Sequence, residues 1–191
     1  MESYLESIRK QFEYYKSLGD KSFRQLNDEL VHQSPGKDSN SIAVMVRHLE
    51  GNMLSRWTDF LTSDGEKEWR TRDLEFESPE SWNMESLQSH WEKGWNCLFE
   101  AINQLSDRDL ERIIYIRNQG HTVVEAINRQ LAHYAYHVGQ IVYLSRQICP
   151  NEWQSLSIPK GDSATYNKDK FSQEKQRRHF TDEYLREEDK K

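Results

Sequence analysis

Apolar residues recur every three to five positions along four stretches of the chain, and this rhythm predicts helices. The first stretch carries Leu5, Ile8, Phe12, Tyr15, Leu18, Phe23, Leu26 and Leu30, which predicts a helix from about Glu2 to Leu30. Gly19 interrupts it and is a candidate kink. A loop by composition, HQSPGKDSNS, follows. The second helix is expected from about Ser41 to Thr62, with Asn40 or Ser41 as its cap and SDG as its stop. A third, about Met84 to Leu105, carries Leu87, Trp91, Trp95, Leu98, Ile102 and Leu105. Ser106 then offers a cap for a short turn, and Ile113 to Ile116 read as a brief extended run. The fourth helix opens on Thr122 and Glu125, whose T-x-x-E spacing is that of a capping box, and should run to about Ile148, before Pro150.

Four helices of this length bury one another best as a bundle. The predicted fold is therefore all-α, a four-helix bundle with long connections between helices two and three and between three and four. A simple up-down order of neighbours is not implied. Residues 1–150 form the bundle in this reading. Residues 151–171 are an arm packed on it through Trp153, Leu156, Ile158, Tyr166 and Phe171, and 172–191 are a charged tail, a solvated helix or disordered.

Composition adds limits. Only 35% of the 191 residues are hydrophobic and 30% are charged, so the core depends on its aromatic residues: six Trp, nine Tyr and seven Phe. A net charge of −6 with mixed signs argues against a nucleic-acid partner, which would require a basic face. No apolar run reaches the ~18 residues of a membrane span. The N-terminus lacks the apolar segment of a signal peptide. Cys97 and Cys149 form no CxxC pair, and a reducing, cytoplasmic location is expected.

The chemistry concentrates in LAHYAYHVGQIVYL, Leu131 to Leu144. On a helical wheel Ala126, Gln130, His133, His137, Gln140 and Leu144 share one stripe, flanked by Ile127, Leu131, Tyr134, Val138 and Ile141. A polar seam thus runs along a mostly buried helix, and it must be satisfied by hydrogen bonds, water or a metal. The spacing of His133 and His137 suits two imidazoles on one cation, but equally suits two hydrogen-bonded core histidines. No Glu follows His133, so this is not the H-E-x-x-H pattern. On the second helix Ser41, Met45, His48, Asn52, Ser55 and Asp59 share a face without Lys, Arg or Glu. That face suits a polar pocket. If the second and fourth helices are neighbours, His48 meets His133 and His137, and three imidazoles can hold one divalent metal with positions left open. His121 is either a loop residue or at the pocket mouth. His90 has no partner of matching spacing, and His32 and His179 lie in polar stretches and read as solvated.

SIAVMVRHLEGNMLSRW, followed much later by AINRQLAHYAYHVGQIVYL, resembles the DinB/YfiT-like superfamily. WQSLSIPKGDSATYN resembles one bacterial branch of it in particular, and the resemblance covers about residues 1 to 170. It implies a four-helix bundle, a three-histidine metal site and often a homodimer. Characterised relatives use the metal, often zinc, to activate a low-molecular-weight thiol such as bacillithiol or mycothiol. His48, His133 and His137 match the motif's ligand positions, and none is missing.

Two readings follow. One is a metal-dependent enzyme acting on a small molecule, a thiol S-transferase or a related hydrolase. Zinc, nickel or iron would sit on His48, His133 and His137, Asn52 would orient substrate or water, and Gln130 and Gln140 would line the pocket or support the ligands. For all three amides simple filling of the seam is the alternative. The other reading is a non-catalytic dimeric stress-response or ligand-binding module, with metal bound or absent. Trp91 and Trp95 on the third helix are either core or part of a dimer surface.

Overall fold

The computed structural model describes residues 2–149, 151 and 153–185. Pro150, the expected stop of the fourth helix, and residues 186–191 of the tail lie outside them. The architecture is all-α apart from one small hairpin: α1 (Glu2–Phe23), α2 (Ile42–Trp57), α3 (Met84–Asn103), β1 (Ile113–Ile116), β2 (Gln119–Thr122), α4 (Val123–Ile148), α5 (Ser163–Phe171) and α6 (Asp182–Leu185). The first four helices form the bundle. α2 packs most extensively on α3 and α1 on α4, and α2 also packs on α4. Each helix sends an aromatic ring to the bundle centre. Phe12 of α1 lies 6.2 Å from Trp57 of α2, 6.2 Å from Trp95 of α3 and 6.0 Å from Tyr134 of α4, all by ring centroid. These large rings fill a core that aliphatic residues alone would leave thin.

Local chemistry explains where elements start and stop. Ser41 caps α2 by accepting from Val44 N, and Thr122 with Glu125 forms the expected capping box of α4. α1 ends at Phe23, earlier than the spacing predicts, because Asn27 Oδ1 accepts from Leu30 N and commits the chain to a turn. α2 likewise ends at Trp57, before a left-handed Asp59 (φ 50°). Gly19 does not kink α1. A β-carbon there would lie 2.3 Å from Trp91, so glycine allows α1 and α3 to approach.

β1 takes up the expected extended run, but its partner β2 carries no apolar alternation that would mark it in advance. Ile113 pairs with Thr122 and Ile116 with Gln119. Arg117 and Asn118 make the tight turn with φ of 55° and 59°, the type I′ geometry. Asp64 holds it there, accepting from both of their backbone N–H groups at 2.8 Å.

Several expectations need correction. Trp91 and Trp95 are buried within the chain, so neither can form a dimer surface. His90 has a partner: its Nδ1 lies 2.7 Å from Glu50 Oε2, and its ring stacks on Trp82. His32 binds the Trp82 carbonyl, and His179 binds Ser7 and Thr181. In the C-terminal segment Phe171 is exposed and anchors nothing, whereas Thr181 is fully buried and Phe180 and Tyr184 pack on Tyr14 of α1. Cys97 and Cys149 are free. Among the described residues no helix is long and apolar enough to cross a membrane.

Candidate metal centre

The hydrogen bonds between α2 and α4 set the helices antiparallel, with their polar faces matched level by level. At one level His48 of α2 meets His133 and His137 of α4. At the next, Asn52 Oδ1 accepts from Gln130 Nε2 (2.8 Å) and from the Tyr134 hydroxyl (3.1 Å). Gln130 Nε2 also reaches the Tyr134 oxygen at 2.9 Å, as does Trp57 Nε1 at 3.0 Å. The whole second level is buried and tied to the aromatic core. Burial raises the Tyr134 phenol well above its ordinary pKa, so it stays a neutral donor.

The three histidines converge. His48 Nε2 lies 3.4 Å from His133 Nε2, and His137 Nε2 lies 3.1 Å from it. One nitrogen from each ring falls within 4.8 Å of the other two. Nitrogens held ~2.0–2.1 Å from a tetrahedral zinc stand roughly 3.3 Å apart, close to the separation of His133 from each of the other two rings. The outer nitrogens fix the direction of the lone pairs. His48 Nδ1–H donates to Glu75 Oε2 at 2.9 Å, and His137 Nδ1–H donates to Gln140 Oε1 at 2.8 Å. With Nδ1 as the donor, the neutral form of each ring turns its Nε2 lone pair to the common point. Gln140 is steadied by donating to the Tyr136 hydroxyl at 3.0 Å.

Electrostatics keep two of these rings neutral. Burial, then the neighbouring His137 and His48, lowers His133 to about 3. Burial and His48 lower His137 to about 4, against a smaller opposing pull from Gln140. Lone pairs of neutral rings brought this close repel unless a shared proton or a cation lies among them. A group of this composition and spacing can hold a metal ion.

Support comes from the long polar connection after α2, where no periodicity marks it. Its 3-10 turn, Arg72–Phe76, packs on α2 and delivers Glu75 to His48 and Phe76 against the His48 ring at 4.8 Å. Burial works to raise the Glu75 carboxyl, but hydrogen bonds from Arg70 and His48 outweigh it and hold the pKa below the usual carboxylate range. Arg70, its side chain only 2% exposed, grips Glu75 through Nε at 2.7 Å and Nη2 at 2.9 Å. An arginine–carboxylate–histidine relay thus orients the first ring.

The rings open into a cavity of about 470 Å³, lined also by Asn52, Gln130, Tyr136 and Phe76. Its size suits a small molecule. Asn52 is among the lining residues, and its carbonyl oxygen is committed to Gln130 and Tyr134. His121 is not among the lining residues; it pairs with Ile114 in the hairpin. A larger cleft, about 1460 Å³, lies between the end of α1 and the C-terminal segment. Its lining includes no histidine, and the three-histidine group found among the described residues opens into the smaller cavity.

Residues 1–162 match the family described as "Protein of unknown function (DUF1572)", and the chain belongs to that family. No curated protein and no solved structure matches the chain.

Proposed function

We propose that this protein is a metal-dependent enzyme in which His48, His133 and His137 hold one divalent cation, zinc foremost, at the inner end of a small-molecule cavity. The carrying observation is the convergence of three Nε2 atoms at 3.1 and 3.4 Å, two of them oriented by bonds at their outer nitrogens. Three protein ligands on two helices leave coordination positions free, which is the arrangement of catalytic rather than structural sites. When bound, such a cation lowers the pKa of a coordinated water towards ~7, or deprotonates a coordinated thiol, and so supplies a nucleophile at neutral pH.

The chain's own residues do the rest. Glu75 and Gln140 keep the His48 and His137 rings in the ligating tautomer. Gln130, Asn52 and Tyr134 form a rigid polar floor that fixes the spacing of α2 and α4. Tyr136 and Phe76 line the cavity and limit the water that enters. The likeness of the helix-two and helix-four motifs to the DinB/YfiT-like superfamily supports a thiol S-transferase, or a hydrolase built on the same centre.

Elemental analysis of gently purified protein tests the metal. One equivalent is expected in the wild type, and none after His48→Ala, His133→Ala or His137→Ala. Full occupancy in all three variants overturns the site. A screen of low-molecular-weight thiols against electrophiles, run beside ester and amide substrates, then separates transferase from hydrolase.

A further inference from the structure

We propose that the same cavity selects a substrate or cofactor carrying an oxyanion, a carboxylate or a phosphate, and docks it on arginines beside the three imidazoles. This rests on the reading of the cavity as an active site. Five arginines line it, Arg56, Arg70, Arg72, Arg117 and Arg129, and no Asp or Glu does. In a chain of net charge −6 such a wall is a local inversion of sign. Concave walls of one charge concentrate ligands of the other.

The five do not act alike. Arg70 is spent on Glu75. Arg56 and Arg117 both reach Glu66 Oε2, at 3.1 and 2.9 Å, but Arg56 Nε is buried without a partner and the Arg117 side chain remains 60% exposed. Arg72 lies over the Phe76 ring at 4.9 Å, and neither it nor Arg129 makes a hydrogen bond or ion pair among the described residues. Arg129 stands one helical turn before His133 on α4, its backbone about 6 Å along the axis from that of His133, and both side chains line the cavity. Donor capacity is left over at a place where guanidinium forks suit carboxylate and phosphate equally.

A second observation is independent of charge. Arg117 occupies the first position of a type I′ turn at φ 55°, a conformation that favours glycine or asparagine over arginine. Asp64 fastens the turn through two backbone bonds, and the guanidinium is thereby delivered to the cavity rim. An ill-suited residue held in place at a site's edge is the pattern of a position kept for its side chain.

Calorimetric titration of the full chain with inorganic phosphate, and separately with succinate, tests this at low ionic strength, with zinc and with chelator. At least one probe should bind, and binding should weaken as salt is added. Preference for phosphate or for succinate tells which oxyanion the wall fits. Arg129→Gln and Arg117→Gly should each weaken binding ~10-fold or more, the scale of one lost charge-assisted hydrogen bond. Zinc content should be unchanged in both, and Arg117→Gly should melt no lower than wild type. Arg24→Gln, outside the cavity, should bind the probe as wild type does. No binding of either probe, or equal binding by the variants, overturns the inference. Zinc bound with no anion leaves the metal reading standing; anion bound with no zinc leaves only this one.

Discussion

Gly51 of α2 lies directly against the Glu75 carboxylate. A β-carbon at position 51 would stand 2.3 Å from Glu75 Oε1 and 2.7 Å from Cδ. The absent side chain is what lets Glu75 lie beside α2 and reach His48. In Gly51→Ala the helix itself gains, since alanine is favoured over glycine by about 1 kcal/mol in a helix interior. The carboxylate must move, however, and it is the flexible partner. The fold should therefore survive with a melting temperature within a few degrees of wild type. Zinc affinity should fall ~10–100-fold, the usual effect of losing a ligand's orienting partner. Competition against a zinc chelator measures it, and unchanged affinity would show that Glu75 does not tune His48.

The four helices and the three histidines were legible in the sequence for the same reason. Each depends on a helical repeat, so Leu49 and Met53 mark the apolar stripe of α2 while His48 and Asn52 mark the polar one. Glu75 and Arg70 were not legible. They stand between 66 and 81 among six acidic residues, any of which could have served a histidine, and only the fold of that loop chooses one. β2 was hidden because QGHT owes its pairing to the Arg117–Asn118 turn and to Asp64, far away in the chain. His32, His90 and His179 read as solvated or unpartnered because each is satisfied by a distant residue that no local spacing reveals.

Tyr134 joins the core to the floor of the site. Tyr134→Phe keeps the ring but leaves Trp57 Nε1 buried without its acceptor and removes a donor from Asn52 Oδ1. Leaving one buried donor unsatisfied costs about 1–3 kcal/mol. Urea unfolding should show that loss in the midpoint with an unchanged slope. A variant as stable as wild type would mean the network contributes nothing net.

Acid should destabilise the metal-free protein. His133 and His137 are lowered to about 3 and about 4 in the fold, while the unfolded chain titrates them near ~6.5. Below ~6.5 the unfolded state therefore binds more protons, and stability falls with pH. The depressed Glu75 carboxyl acts in the same direction at lower pH. Thermal melts in chelator should decline from pH 7 to pH 4, with the loss shallower in His133→Ala. A melting temperature flat across that range would contradict the burial of neutral rings.

The segment after α5 returns to α1, on the outer side of the bundle. His179 Nε2 lies 3.0 Å from Ser7 Oγ, Asp182 pairs with Lys10 at 3.0 Å, and Lys21 Nζ donates to the Tyr184 carbonyl at 3.1 Å. Tyr14 packs on Phe180 and Tyr184 with ring centroids 5.7 and 5.4 Å away. This segment lies beyond the 1–162 family match, and none of the contacts just named reaches a residue that lines the metal cavity. Its contribution should be to stability alone. Two aromatic pairs at about 0.5–1.5 kcal/mol each set the scale, because the half-exposed ion pairs add little. A chain ending at Gln173 should lose about 1–3 kcal/mol on that basis and keep its zinc stoichiometry. Loss of zinc from a chain that is still folded would instead mean that the strap on α1 positions α4, its main packing partner, and with it two of the three ligands.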